Sequence, residues 1–154
     1  MKLINTSGDY LSLSIQGYEF PEIHSCYYDS NWLNIAGKVK LGDKTCTFQN
    51  PCLLSFEALR LANWLDRIAK SKESLKIYGA PDFLEPELDF EFIKENRVRV
   101  NFNYGLLPEW ALSDEDGTDN LYFELEPDKD MIKLATESLR FQLRSYPIRA
   151  SNYK

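Results

Sequence analysis

Carboxylates are concentrated in residues 107–119, which read LPEWALSDEDGTD. Acidic side chains spaced around a glycine could form a calcium loop of the EF-hand type. Placing Gly117 at the glycine position puts Asp114 and Asp116 at two ligand positions. Leu112 and Phe123 then stand where the loop requires carboxylates or other oxygen ligands. The spacing argues against an EF-hand and leaves weak cation binding as the alternative.

Thiol and imidazole ligands for zinc are also present, but their spacing is unusual. One histidine and three cysteines could supply four ligands: His24, Cys26, Cys46 and Cys52. The short C-x₂₋₄-C pairing of structural zinc sites is absent. A buried free thiol behaves as a small apolar side chain. Core packing is therefore the preferred interpretation of the cysteines, and a zinc site stays open.

Covalent and acid–base catalysis find little support. The chain has no G-x-S-x-G motif, and a single histidine would have to serve any Cys-His or Ser-His scheme. No glycine-rich phosphate loop is present. Two carboxylates on one strand could reach glycosidase spacing, but that chemistry needs a buried acid with a raised pKa. We predict no catalysis, no cofactor and no metal, with a small hydrolase as the less favoured alternative.

The clearest local pattern is EPELDFEF at residues 85–92, in which charged and apolar side chains alternate. On a strand, Leu88, Phe90 and Phe92 would point to one face. The carboxylates would point to the other, with neighbours roughly 6.6–6.8 Å apart. The pattern predicts a strand with one acidic face.

Residues 97–104 continue this alternation on a second strand. The apolar faces match if Phe92 pairs with Val98, which predicts Arg99 opposite Glu91. Residues 94–96 then form the hairpin loop. In this register, three carboxylates have no basic neighbour on the partner strand: Glu85, Glu87 and Asp89.

A charged field with aromatic anchors suits protein binding, which needs neither buried acids nor special spacing. Tyr104, Trp110 and Tyr122 lie within or beside the acidic region. Taking the strand and the loop as one negative surface, we predict these partner-binding residues: Glu85, Glu87, Asp89, Trp110, Asp114, Glu115, Asp116 and Asp119. A solvated face without a partner is the alternative.

Charge is uneven along this chain of 154 residues with a net charge of −6. Residues 82–130 hold fifteen carboxylates against four basic residues, a net charge of −11, and the remainder carries +5. Such a chain repels nucleic acid and anionic lipid. Apolar runs are too short for a membrane span or a signal peptide, and three cysteines do not resemble a disulfide scaffold. We predict a cytoplasmic protein that binds neither nucleic acid nor membrane.

The order of strand and helix patterns predicts an α+β fold, with residues 1–154 as one domain and a mainly antiparallel sheet. Two amphipathic helices, at about 55–70 and 128–146, are expected to pack on one face of that sheet. The first is expected to have a serine cap at Ser55 and a buried stripe of Phe56, Leu59, Ala62, Leu65 and Ile68. The apolar face of the second is expected to end at Phe141 or Gln142. Pro51 is expected to end strand pairing. The predicted strands cover residues 10–16, 32–41, 44–49, 75–78, 83–93, 97–104 and 121–126.

Three parts of the chain resemble the WapI-like family of bacterial immunity proteins. The first is DSNWLNIAG at residues 29–37 followed by FQNPCLL at 48–54. The second is the helix that contains ANWL. The third is FLEPELDF at residues 83–90, echoed by SLRFQLRSYP at 138–147. Order and spacing are similar over most of the chain.

The resemblance implies an immunity protein that binds and stoichiometrically inhibits a cognate toxin. Such toxins form the C-terminal domains of wall-associated or Rhs-type proteins in contact-dependent inhibition, and many are nucleases with basic clefts. An acidic inhibitor is complementary to such a cleft. The resemblance transfers no site residues. A non-catalytic adaptor module for another protein is the alternative function.

Overall fold

Seven strands, two α-helices and two short 3₁₀ helices (Asp29–Asn31 and Tyr104–Leu106) are present in the residues that the computed structural model describes, which are 1–70, 79–85, 87–93, 97–108 and 120–150. The predicted strand at 75–78 and the predicted hairpin loop at 94–96 lie outside these residues. The elements in chain order are β1 Lys2–Ile4, β2 Tyr10–Tyr18, β3 Trp32–Leu41, β4 Lys44–Leu54, α1 Ser55–Lys70, β5 Leu88–Phe92, β6 Val98–Asn103, β7 Asn120–Leu125 and α2 Lys129–Leu143. This composition confirms the α+β prediction.

The first four strands form an antiparallel sheet in sequence order, hereafter the large sheet. A two-residue turn joins β3 to β4, and its Gly42 has a φ of 57°, a conformation that glycine adopts without steric cost. The expectation that Pro51 ends the pairing is wrong. The β4 strand continues to Leu54, because a register shift between Leu33 and Ile35 accommodates the proline.

The Glu57 side chain caps the first turn of helix α1 by contacting Leu54, the residue before the helix. Its carboxylate accepts a hydrogen bond from the Leu54 backbone N–H at 2.9 Å, which satisfies an amide that the helix leaves unpaired. The predicted serine cap is wrong, because Ser55 is itself the first residue of the helix, and its hydroxyl donates to Asn31 Oδ1 at 2.6 Å. The predicted bounds of α1 are correct.

The buried face of α1 is rotated from the predicted one. Phe56 is half-buried and Leu59 is exposed, although the sequence predicts both in the buried stripe. Trp64 is fully buried and has the largest side chain in the core, so its position decides which side of the helix faces inward. The buried apolar residues are Ala58, Leu61, Ala62, Trp64, Leu65 and Ile68.

Helix α2 packs against α1 and against the first two strands. Asp128 caps it by accepting a hydrogen bond from the Met131 N–H at 2.7 Å. The helix ends at Leu143, three residues before the predicted end. Phe141 is exposed, whereas Gln142 accepts a hydrogen bond from the Ile15 N–H at 2.8 Å. Of the two residues proposed for the inner face, Gln142 therefore makes the contact with the sheet.

The last three strands form a second antiparallel sheet, β5-β6-β7, hereafter the small sheet. The predicted register is confirmed, since Phe92 pairs with Val98 and Glu91 with Arg99. The sequence predicts one main sheet, and the structure differs by having two. Because residues 55–87 separate β4 from β5, neither local turn chemistry nor alternation determines whether these strands pair.

Aromatic side chains connect the two sheets. Phe48 of β4 meets Phe102 of β6 edge-on, with ring centroids 5.9 Å apart. Phe102 in turn stacks on Phe123 of β7 at 5.4 Å. A second contact joins Trp64 of α1 to Phe90 of β5 at 6.4 Å. Both sheets and both helices consequently share one hydrophobic core.

Gly37 makes room for the Phe48 ring. A Cβ at this position would lie 2.0–2.5 Å from three ring atoms of Phe48. We expect Gly37→Ala to lower the free energy of unfolding by about 1–3 kcal/mol, because the displaced ring also contacts Phe102. Urea unfolding followed by circular dichroism measures this change.

Gly17→Ala is the matched control. A Cβ at Gly17 would meet no atom within 4 Å, so its effect should stay within about 0.5 kcal/mol. Equal destabilisation by both substitutions would contradict a specific role for the contact between Gly37 and Phe48.

Candidate functional site

The side of the small sheet that faces away from the core carries charged, amide and tyrosine side chains. Leu88 and Phe90 are buried, whereas Asp89 and Glu91 alternate with them and are partly exposed. Across the sheet, one row runs Glu91–Arg99–Glu124 and the next runs Asp89–Asn101–Tyr122. We call this surface the outward face; it comprises Asp89, Glu91, Arg97, Arg99, Asn101, Asn103, Tyr122, Glu124 and Glu126.

Both arginines of the outward face are engaged by carboxylates. Arg99 lies 2.8 Å from Glu124 and 3.7 Å from Glu91. Arg97 lies 3.1 Å from Glu124 and 2.5 Å from Glu126. The hydrogen bond from Arg99 is the main reason that the pKa of Glu124 lies below its ordinary value. The outward face has four carboxylates against two guanidinium groups, so its net charge is −2.

Asp89 is more difficult to ionise than an ordinary aspartic acid. Partial burial raises its pKa, and the charge of Glu91 adds to this rise. Hydrogen bonds from the Phe90 N–H at 2.8 Å and from the Asn101 side chain at 3.4 Å oppose it. Burial also raises the pKa of Glu87, followed by the charge of Glu85. For both carboxylates, burial is the larger cause of the raised pKa and a neighbouring carboxylate is the smaller one.

No basic side chain among the described residues forms an ion pair within 4.0 Å of three predicted site residues, Glu85, Glu87 and Asp89. The strand that should carry them is shorter than predicted, because β5 starts at Leu88. Glu87 still lies at the end of the sheet, where its carbonyl accepts a hydrogen bond from the Asn103 N–H at 2.9 Å.

Two exposed tyrosines lie on or beside the outward face. Tyr122 is 56% exposed, and the Arg99 guanidinium lies 4.4 Å from the centre of its ring. Tyr104 is 67% exposed and has a φ of 51°, a left-handed conformation that costs a non-glycine residue of order 1–3 kcal/mol. Alternation with Leu121 and Phe123 could have identified Tyr122 as a site residue from the sequence.

The other five predicted site residues lie outside the described residues: Trp110, Asp114, Glu115, Asp116 and Asp119. The ends of their segment are nevertheless described. Asn103 pairs with Asn120, and the segment joining β6 to β7 therefore leaves and re-enters the small sheet at the end where Glu87 lies.

The cysteines and the buried acid provide little for catalysis. Burial raises the pKa of the Cys52 thiol to about 12 and also raises that of Cys46. Burial raises the pKa of Glu57, but both of its oxygens accept backbone N–H groups, from Leu54 and Leu84. Within the described part of the chain, no group of three or more His, Cys, Asp or Glu residues could hold a metal ion.

A protein-family model matches residues 2–147, and it describes the immunity protein WapI-like family. The chain belongs to this family. No curated protein and no solved structure matches it. Family membership supports a role of this WapI-like chain in immunity against a toxin. None of the helices in the described residues is long and apolar enough to cross a membrane.

Removing Arg99 tests the charge arrangement of this WapI-like protein. In Arg99→Ala we expect the pKa of Glu124 to rise, because its main hydrogen-bond donor is lost. The pKa of Asp89 should change little, since Arg99 is not among the groups that perturb it. Carboxyl ¹³C NMR titration measures both values.

Arg140→Ala is the control, because Arg140 pairs with Asp66 at 3.4 Å and leaves the small sheet untouched. A shift of Asp89 as large as that of Glu124 in the Arg99 variant would show that the outward face titrates as one coupled unit, contrary to this expectation.

Proposed function

We propose that this protein binds a cognate toxin and inhibits it stoichiometrically, without catalysis, through a negative surface centred on the small sheet. The observation that carries the proposal is the group Glu85, Glu87 and Asp89, which lacks basic partners among the described residues. Unpaired carboxylates remain available to cations of a partner. The proposed contacts are the predicted set, Glu85, Glu87, Asp89, Trp110, Asp114, Glu115, Asp116 and Asp119.

A basic nuclease domain is the toxin that fits this surface best. A nuclease must hold phosphates, so its active cleft carries lysine and arginine. An acidic inhibitor covers such a cleft with complementary charge, and this raises the association rate to about 10⁸ M⁻¹s⁻¹ at low salt. The toxin would be the C-terminal domain of a larger exported protein, and inhibition would take place in the cytoplasm.

The arginines and tyrosines of the outward face support a protein partner. Tyrosine and arginine are enriched among residues that dominate binding energy. Here Arg97 and Arg99 are already oriented by Glu124 at 3.1 and 2.8 Å. Side chains fixed in this way lose less conformational entropy when a partner arrives.

Two other functions would give different observations. A non-catalytic adaptor module would use the same surface for a cellular protein, with no toxin gene beside its own. A small hydrolase would show turnover. A neighbouring gene for a large exported protein with a variable C-terminal domain supports the toxin, and a metabolic operon counts against it.

Neutralising two carboxylates of the small sheet should weaken toxin binding. For Glu87→Gln/Asp89→Asn we expect about tenfold lower affinity at low salt, with a shallower salt dependence. Wild-type affinity should also fall as the pH is lowered, and the fall should begin at a higher pH than for ordinary carboxylates, because the pKa values of both acids are raised. The double variant should lose this part of the pH dependence. Calorimetry with the purified toxin domain measures all three effects.

Asp43→Asn/Glu137→Gln is the matched control, since it makes the same change in net charge at two exposed acids outside the proposed surface. Its affinity should stay close to that of the wild type once net charge is allowed for. Equal loss in both double variants would indicate a general charge effect and refute the proposed location.

The acidic loop allows a second test of the same proposal. Reversing the charges of Asp114, Glu115, Asp116 and Asp119 to lysine should abolish neutralisation of the toxin, because four repulsive groups would face a basic cleft. The readout is cell survival during toxin expression, together with the salt dependence of binding. Unchanged survival and salt dependence would remove the loop from the proposed interface.

A further inference from the structure

A cleft of about 240 Å³ opens at the first turn of α1. One wall is aromatic, with the rings of Tyr27 and Phe56 stacked at a centroid distance of 5.0 Å. Tyr28 extends this wall and meets Tyr27 edge-on at 5.1 Å. Phe83 and Leu84 lie on the opposite side of the cleft. The cleft therefore lies between a stacked aromatic pair and a short connecting segment.

Two side chains of α1 hold that segment in place. Glu57, only 1% exposed, accepts a hydrogen bond from the Leu84 N–H at 2.6 Å. Arg60 donates to the Asp82 carbonyl at 3.0 Å, and its guanidinium carbon lies 5.3 Å from the centre of the Phe56 ring. The same helix thus positions both walls, so the shape of the cleft is fixed before any partner binds.

The Leu84 side chain is 52% exposed although its backbone is tied to a buried carboxylate. Single exposed leucines are common, but this one borders a cleft with two tyrosines and one arginine, residue types that dominate many protein interfaces. The cleft is smaller than the 300–1,000 Å³ typical of small-molecule sites. Its size suits one inserted side chain.

The charge at the rim is acidic and continuous with the surface proposed for the toxin. Asp82 lines the cleft, and Glu85 is exposed immediately after Leu84. Glu85 is also near enough to Glu87 to raise the pKa of that residue. Arg60 is the cation of the cleft, and its guanidinium is engaged with a backbone carbonyl. A partner side chain entering here would meet apolar walls and a negative rim.

We infer that the cleft receives one apolar side chain of the toxin, aromatic for the best fit, which a lysine or arginine of the toxin flanks. The inference rests on the proposed function and divides the interface into two parts. Carboxylates of the small sheet attract and orient the basic partner, which acts mainly on association. The cleft buries an anchor, which acts mainly on dissociation.

Dissociation rates separate these parts. The probe is the purified toxin C-terminal domain encoded beside this gene, bound to immobilised wild type, Leu84→Ala and Leu134→Ala. Leu134 of α2 is the matched control, because it is 56% exposed and lies away from the cleft. We expect Leu84→Ala to dissociate about tenfold faster with an unchanged salt dependence. Leu134→Ala should stay within about twofold of the wild type.

Leu84→Met and Leu84→Arg are two further variants with opposite expected effects on the dissociation rate. Methionine preserves the apolar volume and should restore the wild-type rate, whereas arginine should accelerate dissociation further by repelling a basic partner. Matching melting temperatures of all variants would show that folding is intact, as expected for an exposed position.

The outcomes distinguish this inference from the function on which it rests. If Leu84→Ala dissociates like the wild type while Glu87→Gln/Asp89→Asn weakens binding, the cleft is not a contact and the proposed function stands. If Leu134→Ala accelerates dissociation as much as Leu84→Ala, the effect is not specific to the cleft and the inference fails. If the wild type does not bind the toxin domain, the proposed function itself is refuted.

Discussion

The contact between Phe48 and Phe102 is the interaction on which the remaining structure depends, because it attaches the small sheet to the large one. Three strands need packing on one side to be stable. Among the described elements, no α-helix follows the small sheet's strands until α2, which packs on α1 and the large sheet. Its inner side is covered by Phe48 from β4 and Trp64 from α1. The absence of a side chain at Gly37 allows the first of these contacts.

Because these aromatic contacts cover the inner side of the small sheet, its outward face can carry charged side chains. The carboxylates there repel one another, but Arg97 and Arg99 reduce the repulsion at one end.

The core also contains an unfavourable feature. Among the described residues, the Trp64 indole N–H is buried without a hydrogen-bond partner. Such a group costs about 1–3 kcal/mol, whereas burying a ring of 150–250 Å² at about 25 cal/mol per Å² contributes about 4–6 kcal/mol. Ring burial is the larger effect.

Local patterns predicted much of this fold, and long-range packing explains most of the errors. The β5–β6 register followed from alternation, because shifting Phe92 from Val98 by one residue would turn the acidic side inward. The Phe48–Phe102 contact joins residues far apart in sequence, so the division into two sheets had no local signal. Contacts of the candidate site that join distant parts of the sequence were likewise not predictable from local patterns. Asp89 was predicted from β5, but the pairing of Arg99 with Glu124 depends on β7, which follows a long connection rather than a tight turn.

The two parts of the proposed interface belong to different units of the fold. The cleft is built on α1, on Tyr27 and Tyr28 before β3 and on residues 82–84, whereas the outward face is built on the small sheet. Their relative position is set by the aromatic contacts between sheets and by Glu57, which holds the Leu84 backbone at 2.6 Å just before Glu85. A partner that contacts both parts gains affinity only if this geometry is already present, since ordering it on binding would offset part of the gain. A core substitution far from the surface, such as one at Gly37, should therefore reduce toxin affinity even in molecules that remain folded.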